Sequence, residues 1–307
     1  MKVHYKSPSL PVFKNAVITI GTFDGVHMGH RQVLAKLKQE AIHAGGESVL
    51  ITFDPHPRKI IQTASQPIKL INTLNEKIEL LEEFGIDHLV IIEFTQAFSE
   101  QSAEEYIRDF LIRQFQPHTI IIGYDHRFGK NRAGDYKLLE KMADVYHYQL
   151  KEISAHELNE IKISSTRIRE ALMQGNMDDA NRLLGYTFFF SGEVIDGDKL
   201  GRLLGYPTAN LKITDAEKII PGDGIYAVYA TYEQTKYKGM MSIGFRPTVN
   251  GTKRVVEINL FDFDKHIYGK SLKVYVKKYL RAEVKFNTTE ALVKQMDEDK
   301  KASLKIL

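Results

Sequence analysis

At 307 residues, with 42 Lys and Arg against 39 Asp and Glu and a formal net charge of +3, the chain is long enough for two domains that each bury a core, and too evenly charged for a nucleic-acid surface. It contains no cysteine, which excludes disulfides, thiolate zinc sites and a cysteine nucleophile together. Met1 to Lys6 carries no apolar signal core, and no apolar run approaches the roughly 18 residues of a membrane helix. A cytoplasmic protein acting on small molecules is expected, with neither nucleic acid nor membrane as partner; its oligomeric state is not legible.

The first strong pattern is the apolar run Ala16-Val17-Ile18-Thr19-Ile20, a strand, which leads into Gly21-Thr22-Phe23-Asp24-Gly25-Val26-His27-Met28-Gly29-His30 and then an amphipathic segment from Arg31 to His43. Strand, turn and helix in that order aim the unpaired N–H groups and the positive end of the helix at a point outside the strand, where phosphate is favoured. Gly21 and Gly25 allow a tight turn and a close approach to a ligand. His27 and His30 are three apart, so one helical turn carries both rings to the same side. There they can donate to charge building on a leaving pyrophosphate, each charge-assisted bond contributing roughly 1.5–3 kcal/mol. Taken without the preceding strand, the same pair reads as two solvated histidines at a helix start.

The segment Gly21–His30 resembles the nucleotidyltransferase signature of the bacterial bifunctional riboflavin kinase/FMN adenylyltransferases, the FAD synthetases. That resemblance implies ATP binding by Gly21, Phe23, Asp24, Gly25, His27 and His30, with the two histidines stabilising transition-state charge in adenylyl transfer.

Helical spacing from Arg31 predicts burial of Val33, Leu34, Leu37, Ala41 and Ile42. Ser48 to Phe53 reads as a strand buried on both faces, opening into Asp54-Pro55-His56-Pro57-Arg58. Ligands of open α/β sheets bind outside the carboxyl ends of strands, and the resemblance puts Asp54, His56 and Arg58 on the FMN side. Thr73-x-x-Glu76 and Ser102-x-x-Glu105 are capping boxes. The first begins a helix with Ile78, Leu81 and Phe84 inward, the second a helix with Ile107, Phe110 and Leu111 inward. With strands at His88 to Phe94 and Thr119 to Ile122, the alternation is βαβαβ, a parallel sheet covered on both faces.

The polar, glycine-rich run from Gly123 to Asp135 is too irregular for a helix or strand, and loops of this kind carry function. It is similar to the synthetases' flavin-side segment, which assigns Asp125 and Arg127 to FMN; His126 stands where that family often has an aromatic. After a helix from Leu138 to Val145 and a strand from Tyr148 to Ile153, Ile163-Ser164-Ser165-Thr166-Arg167-Ile168-Arg169 enters another helix. The bare Ser-Ser-Thr is an N-cap. The resemblance adds Ser164, Ser165, Thr166, Arg167 and Arg169 to the ATP site, with Arg169 closing over the phosphates.

From residue 186 the chain changes character. Thr187 to Ile195, Ile225 to Glu233, Tyr237 to Phe245, Val255 to Phe263 and Ser271 to Leu280 are strand-like with glycine-bearing turns, followed by a terminal helix from Thr288 to Leu307. A closed antiparallel barrel is predicted, six-stranded and of Greek-key type, after a Rossmann-like nucleotidyltransferase domain spanning 1–185. Gly197 to Asn210 contains no P-loop. It resembles the riboflavin kinase signature, which implies ATP near Gly197, Lys199 and Gly201, and Mg²⁺ with its phosphates at Thr208 and Asn210; alone, Pro207-Thr208-Ala209-Asn210 reads as an ordinary turn.

Glu257 alternates with Val255 and Asn259 on one face of an otherwise apolar strand, and an inward carboxylate needs a reason. The plain alternative is the exposed face of an edge strand. In the kinase resemblance Glu257 is the general base that takes the proton of the ribityl 5′-hydroxyl, with Arg281 and Glu283 on the riboflavin side. The basic run Lys273 to Arg281 reads as a solvated strand face.

The resulting expectation is a bifunctional enzyme using ATP and Mg²⁺, converting riboflavin to FMN in residues 186–307 and FMN to FAD in residues 1–185. Two other readings remain open from the residues: adenylyl transfer to a different acceptor, and a flavin-responsive binding protein without turnover.

Overall fold

The computed structural model describes residues 1–5, 10–61, 68–154, 163–197, 200–248 and 251–307, with the backbone alone at Leu200, Pro247, Thr248 and Gly251. The chain forms two compact units, Met1–Ile68 with Leu74–Ser164, and Lys69–Thr73 with Ser165–Leu307.

The first unit holds a six-stranded sheet of β1 (Lys2–Tyr5), β2 (Val17–Ile20), β3 (Ser48–Phe53), β4 (His88–Ile92), β5 (Thr119–Gly123) and β6 (Gln149–Ile153), in the order β1-β4-β3-β2-β5-β6. Every pairing is parallel. β2, β3 and β4 are buried along their whole length, which is why they read as continuous apolar runs without alternation. β1 carries no such signal in the sequence. It is a four-residue edge strand, half exposed, whose pairing with β4 is settled by the sheet and not by its own composition. The chain steps outward from β2 through β3 to β4 and then returns to the far side of β2 as β5. The mouth over β3, β2 and β5 is therefore the switch point where such sheets bind ligands.

The helix after β2 spans Met28–His43, three residues earlier than its apolar pattern suggests, because His27 caps it. Leu34, Leu37 and Ala41 are buried as expected, but Val33 is half-buried and Ile42 is 76% exposed. One residue is about 100° of helix, and Ile42 lies that far beyond the stripe formed by the other three. Glu40 is buried in its place, held by Lys36 Nζ at 3.3 Å and Lys151 Nζ at 2.5 Å. In the helix Leu74–Glu82 the buried residues are Glu76, Lys77, Leu80 and Leu81, while Ile78 and, just beyond the helix, Phe84 are half-buried. Ser102 and Glu105 make the capping box, and the helix then widens to π geometry over Tyr106–Ile112, burying Ile107, Phe110 and Leu111 as their spacing predicts.

The second unit is a closed antiparallel barrel of β7 (Phe189–Ile195), β8 (Ala209–Lys212), β9 (Gly224–Tyr232), β10 (Thr235–Thr248), β11 (Gly251–Leu260) and β12 (Ser271–Arg281), ordered β10-β11-β8-β7-β12-β9. Five of these strands follow the sequence pattern. The sixth, β8, includes Ala209 and Asn210, which read locally as a turn. β8 is a strand because closure requires one there: Asn210 pairs with Ile195 of β7 on one side and Glu257 of β11 on the other. The helices Ser165–Met173 and Met177–Leu184 also belong to this unit. Gly222 N–H donates to the Leu172 carbonyl at 2.9 Å, and Asn181 donates from Nδ2 to the Val276 carbonyl at 3.1 Å while its Oδ1 accepts from Phe188 N–H at 2.7 Å. The terminal helix, Thr289–Ile306, is capped by Thr288 and pinned by Asp299, which is buried and takes two hydrogen bonds from Arg281 at 2.8 and 2.6 Å.

Candidate functional sites

In the first unit the expected site residues leave adjacent strands at one edge of the sheet. Gly21 N–H, just past β2, donates to the Ile51 carbonyl of β3 at 3.0 Å. The turn that follows is strained: Phe23, Gly25 and Val26 have φ of 47°, 92° and 36°. A β-branched residue in the left-handed region is a genuine outlier, at a cost of about 1–3 kcal/mol, and such strain gathers where a ligand must be met. The backbone turns there so that His27 lands at the helix cap, its Nδ1 accepting from His30 N–H at 3.3 Å. With Nδ1 so used, the proton of a neutral His27 sits on Nε2, leaving it a donor.

The rings of His27 and His30 stack with centroids 3.6 Å apart and planes at 15°. The helical spacing therefore does bring them together. Burial first, then His27 and the Lys77 ammonium, hold the His30 pKa well below its ordinary 6.5, so that ring is neutral at pH 7. Its Nδ1 is buried without a hydrogen-bond partner among the described residues, the kind of polar group a ligand satisfies.

Lys77 is a residue that sequence reasoning missed. It is buried, donating from Nζ to the Thr22 carbonyl at 2.7 Å and lying 3.4 Å from Thr52 Oγ1. Burial lowers its pKa, while the carboxylates of Asp24 and Asp54 oppose that shift. The cation thus sits beneath the strained turn after β2 and couples it to the end of β3 and the loop that follows. The available signal was a lysine at an inward position of an amphipathic helix.

Asp54 N–H donates to the Ile92 carbonyl at 3.0 Å, and its side chain is exposed. His56 is buried and caps the short turn of helix Pro57–Ile60, its Nδ1 accepting from Arg58 N–H at 3.2 Å; the Arg58 side chain is exposed. Beyond β5, Tyr124 N–H donates to the Ile153 carbonyl at 3.2 Å, Phe128 bridges to Gly134, and Arg127 pairs with Asp135 at 2.9 Å. His126 is pushed down to about 4 by burial, against the opposing effect of Asp125. Asp125 and Arg127 are exposed at the same edge. Ser164 ends the first unit, whereas Ser165, Thr166, Arg167 and Arg169 belong to the second. Arg169 donates from Nε to the Lys69 carbonyl at 2.7 Å, and Arg167 lies 3.9 Å from Asp179.

The second unit contains a cavity of about 690 Å³ whose wall includes Gly201, Thr208, Glu257, Asn259, Arg281 and Glu283. Alternation along β11 explains it. Val256, Ile258 and Leu260 are buried with the barrel core, so Glu257 and Asn259 point the other way, toward the segment after β12 and the terminal helix. Glu257 is thus neither in the barrel interior nor on a solvated edge. Asn210 sits directly across from it in the β8–β11 register, on the same face. Asn259 donates to the Pro207 carbonyl at 2.7 Å, fixing the chain just before Thr208. At Gly197 a Cβ would lie 2.0 Å from the Asn210 amide nitrogen, so the missing side chain is room for Asn210. Lys199 lies outside the described residues. Arg281 is committed to Asp299, and Glu283 accepts from Ser242 Oγ at 2.8 Å and from Arg246 Nη2 at 3.0 Å. Arg246, whose Nη2 also lies 3.1 Å from Glu257 Oε2, is the second residue the sequence reading missed.

A family model described as FAD synthetase matches residues 10–167, and one described as riboflavin kinase matches residues 184–307. Among curated relatives named bifunctional riboflavin kinase/FMN adenylyltransferase, those of Listeria monocytogenes, Escherichia coli and Bacillus subtilis are 35%, 34% and 35% identical, over 93%, 93% and 94% of this chain and 90%, 91% and 92% of their own lengths. A crystal structure of a Streptococcus pneumoniae protein named for macrolide efflux superimposes with a TM-score of 0.84 at 30% identity, covering 97% of this chain and 95% of that one. No helix among the described residues here is long and apolar enough to cross a membrane. With one model covering the parallel-sheet half, another the barrel half, and relatives above 30% identity along nearly the whole length, the chain belongs to the bifunctional riboflavin kinase/FMN adenylyltransferase family.

Proposed function

We propose that this chain makes FAD in two steps, phosphorylating riboflavin with ATP in residues 186–307 and transferring AMP from a second ATP to the resulting FMN in residues 1–185. The observation that carries the first step is the position of Glu257, on a cavity wall with Thr208 and directly across from Asn210. The 5′-hydroxyl oxygen of riboflavin attacks the γ-phosphorus of ATP. Its new O–P bond forms as the bond to the β-phosphate oxygen breaks, and ADP leaves. Glu257 takes the hydroxyl proton, and a positioned base of this kind contributes typically 10²–10⁴-fold. Mg²⁺ fits the donors present, since Thr208 and Asn210 would offer it hard oxygens beside the ATP phosphates and this ion takes few protein ligands. When bound with ATP it would neutralise phosphate charge.

For the second step, support comes from the stacked His27–His30 pair at the strained turn, with one imidazole nitrogen unsatisfied. A phosphate oxygen of FMN attacks the α-phosphorus of ATP in line and pyrophosphate leaves. The attacking phosphate already carries negative charge, so no general base is needed, and positioning with charge neutralisation carries the rate. Asp24 and the Gly21–Gly25 turn hold the adenosine side, while Asp54, His56, Arg58, Asp125 and Arg127 face FMN.

The test is a chromatographic time course of the purified protein with riboflavin, ATP and Mg²⁺, following FMN and FAD separately. FMN rising first and then converting to FAD is expected. FMN that accumulates without FAD would assign the first half to another acceptor, and no product at all would leave a flavin-binding protein.

A further inference from the structure

Two carboxylates, Glu257 from β11 and Glu283 from just beyond β12, line the cavity together with Arg246 from β10. Left to themselves they would repel, and neither would have a fixed direction. A single nitrogen of Arg246, Nη2, lies 3.1 Å from Glu257 Oε2 and 3.0 Å from Glu283 Oε1. Glu283 also accepts from Ser242 Oγ at 2.8 Å, and Ser242 is the direct cross-strand partner of Glu257 in the β10–β11 register. Gly244, between Ser242 and Arg246 on β10, leaves the space in which the Glu283 carboxylate lies: a Cβ there would come within 1.7 Å of Glu283 Oε2. The two carboxylates, the guanidinium and the hydroxyl therefore form one closed network built on paired strands.

We propose that Arg246 is a positioning residue for riboflavin phosphorylation, holding one oxygen of Glu257 so that the other is presented to the attacking hydroxyl, while Glu283 and Ser242 hold Arg246. This rests on Glu257 being the general base. The Arg246 bond uses Oε2, which leaves Oε1 as the proton acceptor. The bond also survives the reaction, because a guanidinium keeps its proton and still has Glu283 as partner when Glu257 becomes neutral. A misplacement of about 1 Å at a reacting group costs on the order of 10²-fold, which sets the size of the expected effect.

Arg246→Ala in the full chain should lower kcat for FMN formation by roughly 10- to 100-fold. KM for ATP should stay near its original value, adenylylation of supplied FMN should not change, and millimolar guanidinium ion should restore part of the lost turnover. In a Glu257→Asp background, which keeps a displaced base, adding Arg246→Ala should cost far less than it does alone, because the two act through one another. A global or local packing defect would reproduce neither the guanidinium rescue nor this coupling. Unchanged kcat in Arg246→Ala, a rise confined to KM for ATP, or additive losses in the double variant would each overturn the proposal. The underlying reading fails separately: full kinase activity in Glu257→Gln removes the base itself, whereas an inactive Glu257→Gln beside a fully active Arg246→Ala removes only the role of Arg246.

Discussion

His30 is a neutral ring at pH 7, buried against His27 and within reach of the Lys77 field, with one nitrogen unsatisfied among the described residues. Such a group serves a ligand better than it serves the fold. Replacing His27 and His30 together by Ala should therefore abolish FAD formation and leave FMN formation intact, measured on one sample; equal loss of both, in protein shown to be folded, would contradict the division of labour. The same environments give the fold a pH dependence. In the unfolded chain these imidazoles take up protons near 6.5, whereas folded His126 resists down to about 4. Because the folded pKa values are depressed, stability is fully present above about 6.5 and is lost as the pH falls toward 4, by about 3 kcal/mol for His126. Chemical denaturation at a series of pH values checks this, and His126→Phe should flatten the curve.

Between elements, the informative contact is the clasp of the terminal helix on β12. Asp299 is buried and its carboxylate takes both Arg281 hydrogen bonds as well as one from Gln295 Nε2 at 3.1 Å. Asp299→Ala strands the guanidinium at the cavity wall, which should destabilise the second unit by about 3–5 kcal/mol and raise KM for riboflavin, read from denaturation and from kinase kinetics. Arg281 was marked as a riboflavin-side candidate by the resemblance, yet its partner was not legible, since nothing in an 18-residue amphipathic helix marks one aspartate among its charges as the inward one. The helix after β2 shows the same limit in reverse. Its period selects Leu34, Leu37 and Ala41 correctly, but only the facing strand, with Lys151, explains why Glu40 is inside and Ile42 outside.

Over the whole molecule, two chemistries on two compact units predict that each can be disabled alone. Glu257→Gln should lose FMN formation yet still adenylylate supplied FMN. Mixed in one tube with the His27→Ala/His30→Ala protein, it should recover FAD synthesis from riboflavin after a lag, because FMN released by one chain reaches the other through solution. Absence of FAD from that mixture, with each variant retaining its spared activity, would mean that FMN is not exchanged between chains.

Local pattern alone determined the class of each half: apolar runs alternating with capped amphipathic helices dictate a parallel sheet, and short β-branched strands with glycine turns dictate a barrel. It also marked His27, His30 and Glu257 as candidates, because spacing on a helix or alternation on a strand is a property of neighbours in the chain, whereas Thr208 and Asn210 were marked only by the resemblance of their segment to the riboflavin kinase signature. Tertiary structure alone decided that β1 and β8 are strands, that Glu257 faces a cavity outside the barrel core, and that Lys77 lies against Thr22 and Arg246 against Glu257. Lys77 lies 55 residues from Thr22 and Arg246 lies 37 from Glu283. A lone cation carries no periodicity, so its meaning comes entirely from the carboxylates and carbonyls that folding brings to it.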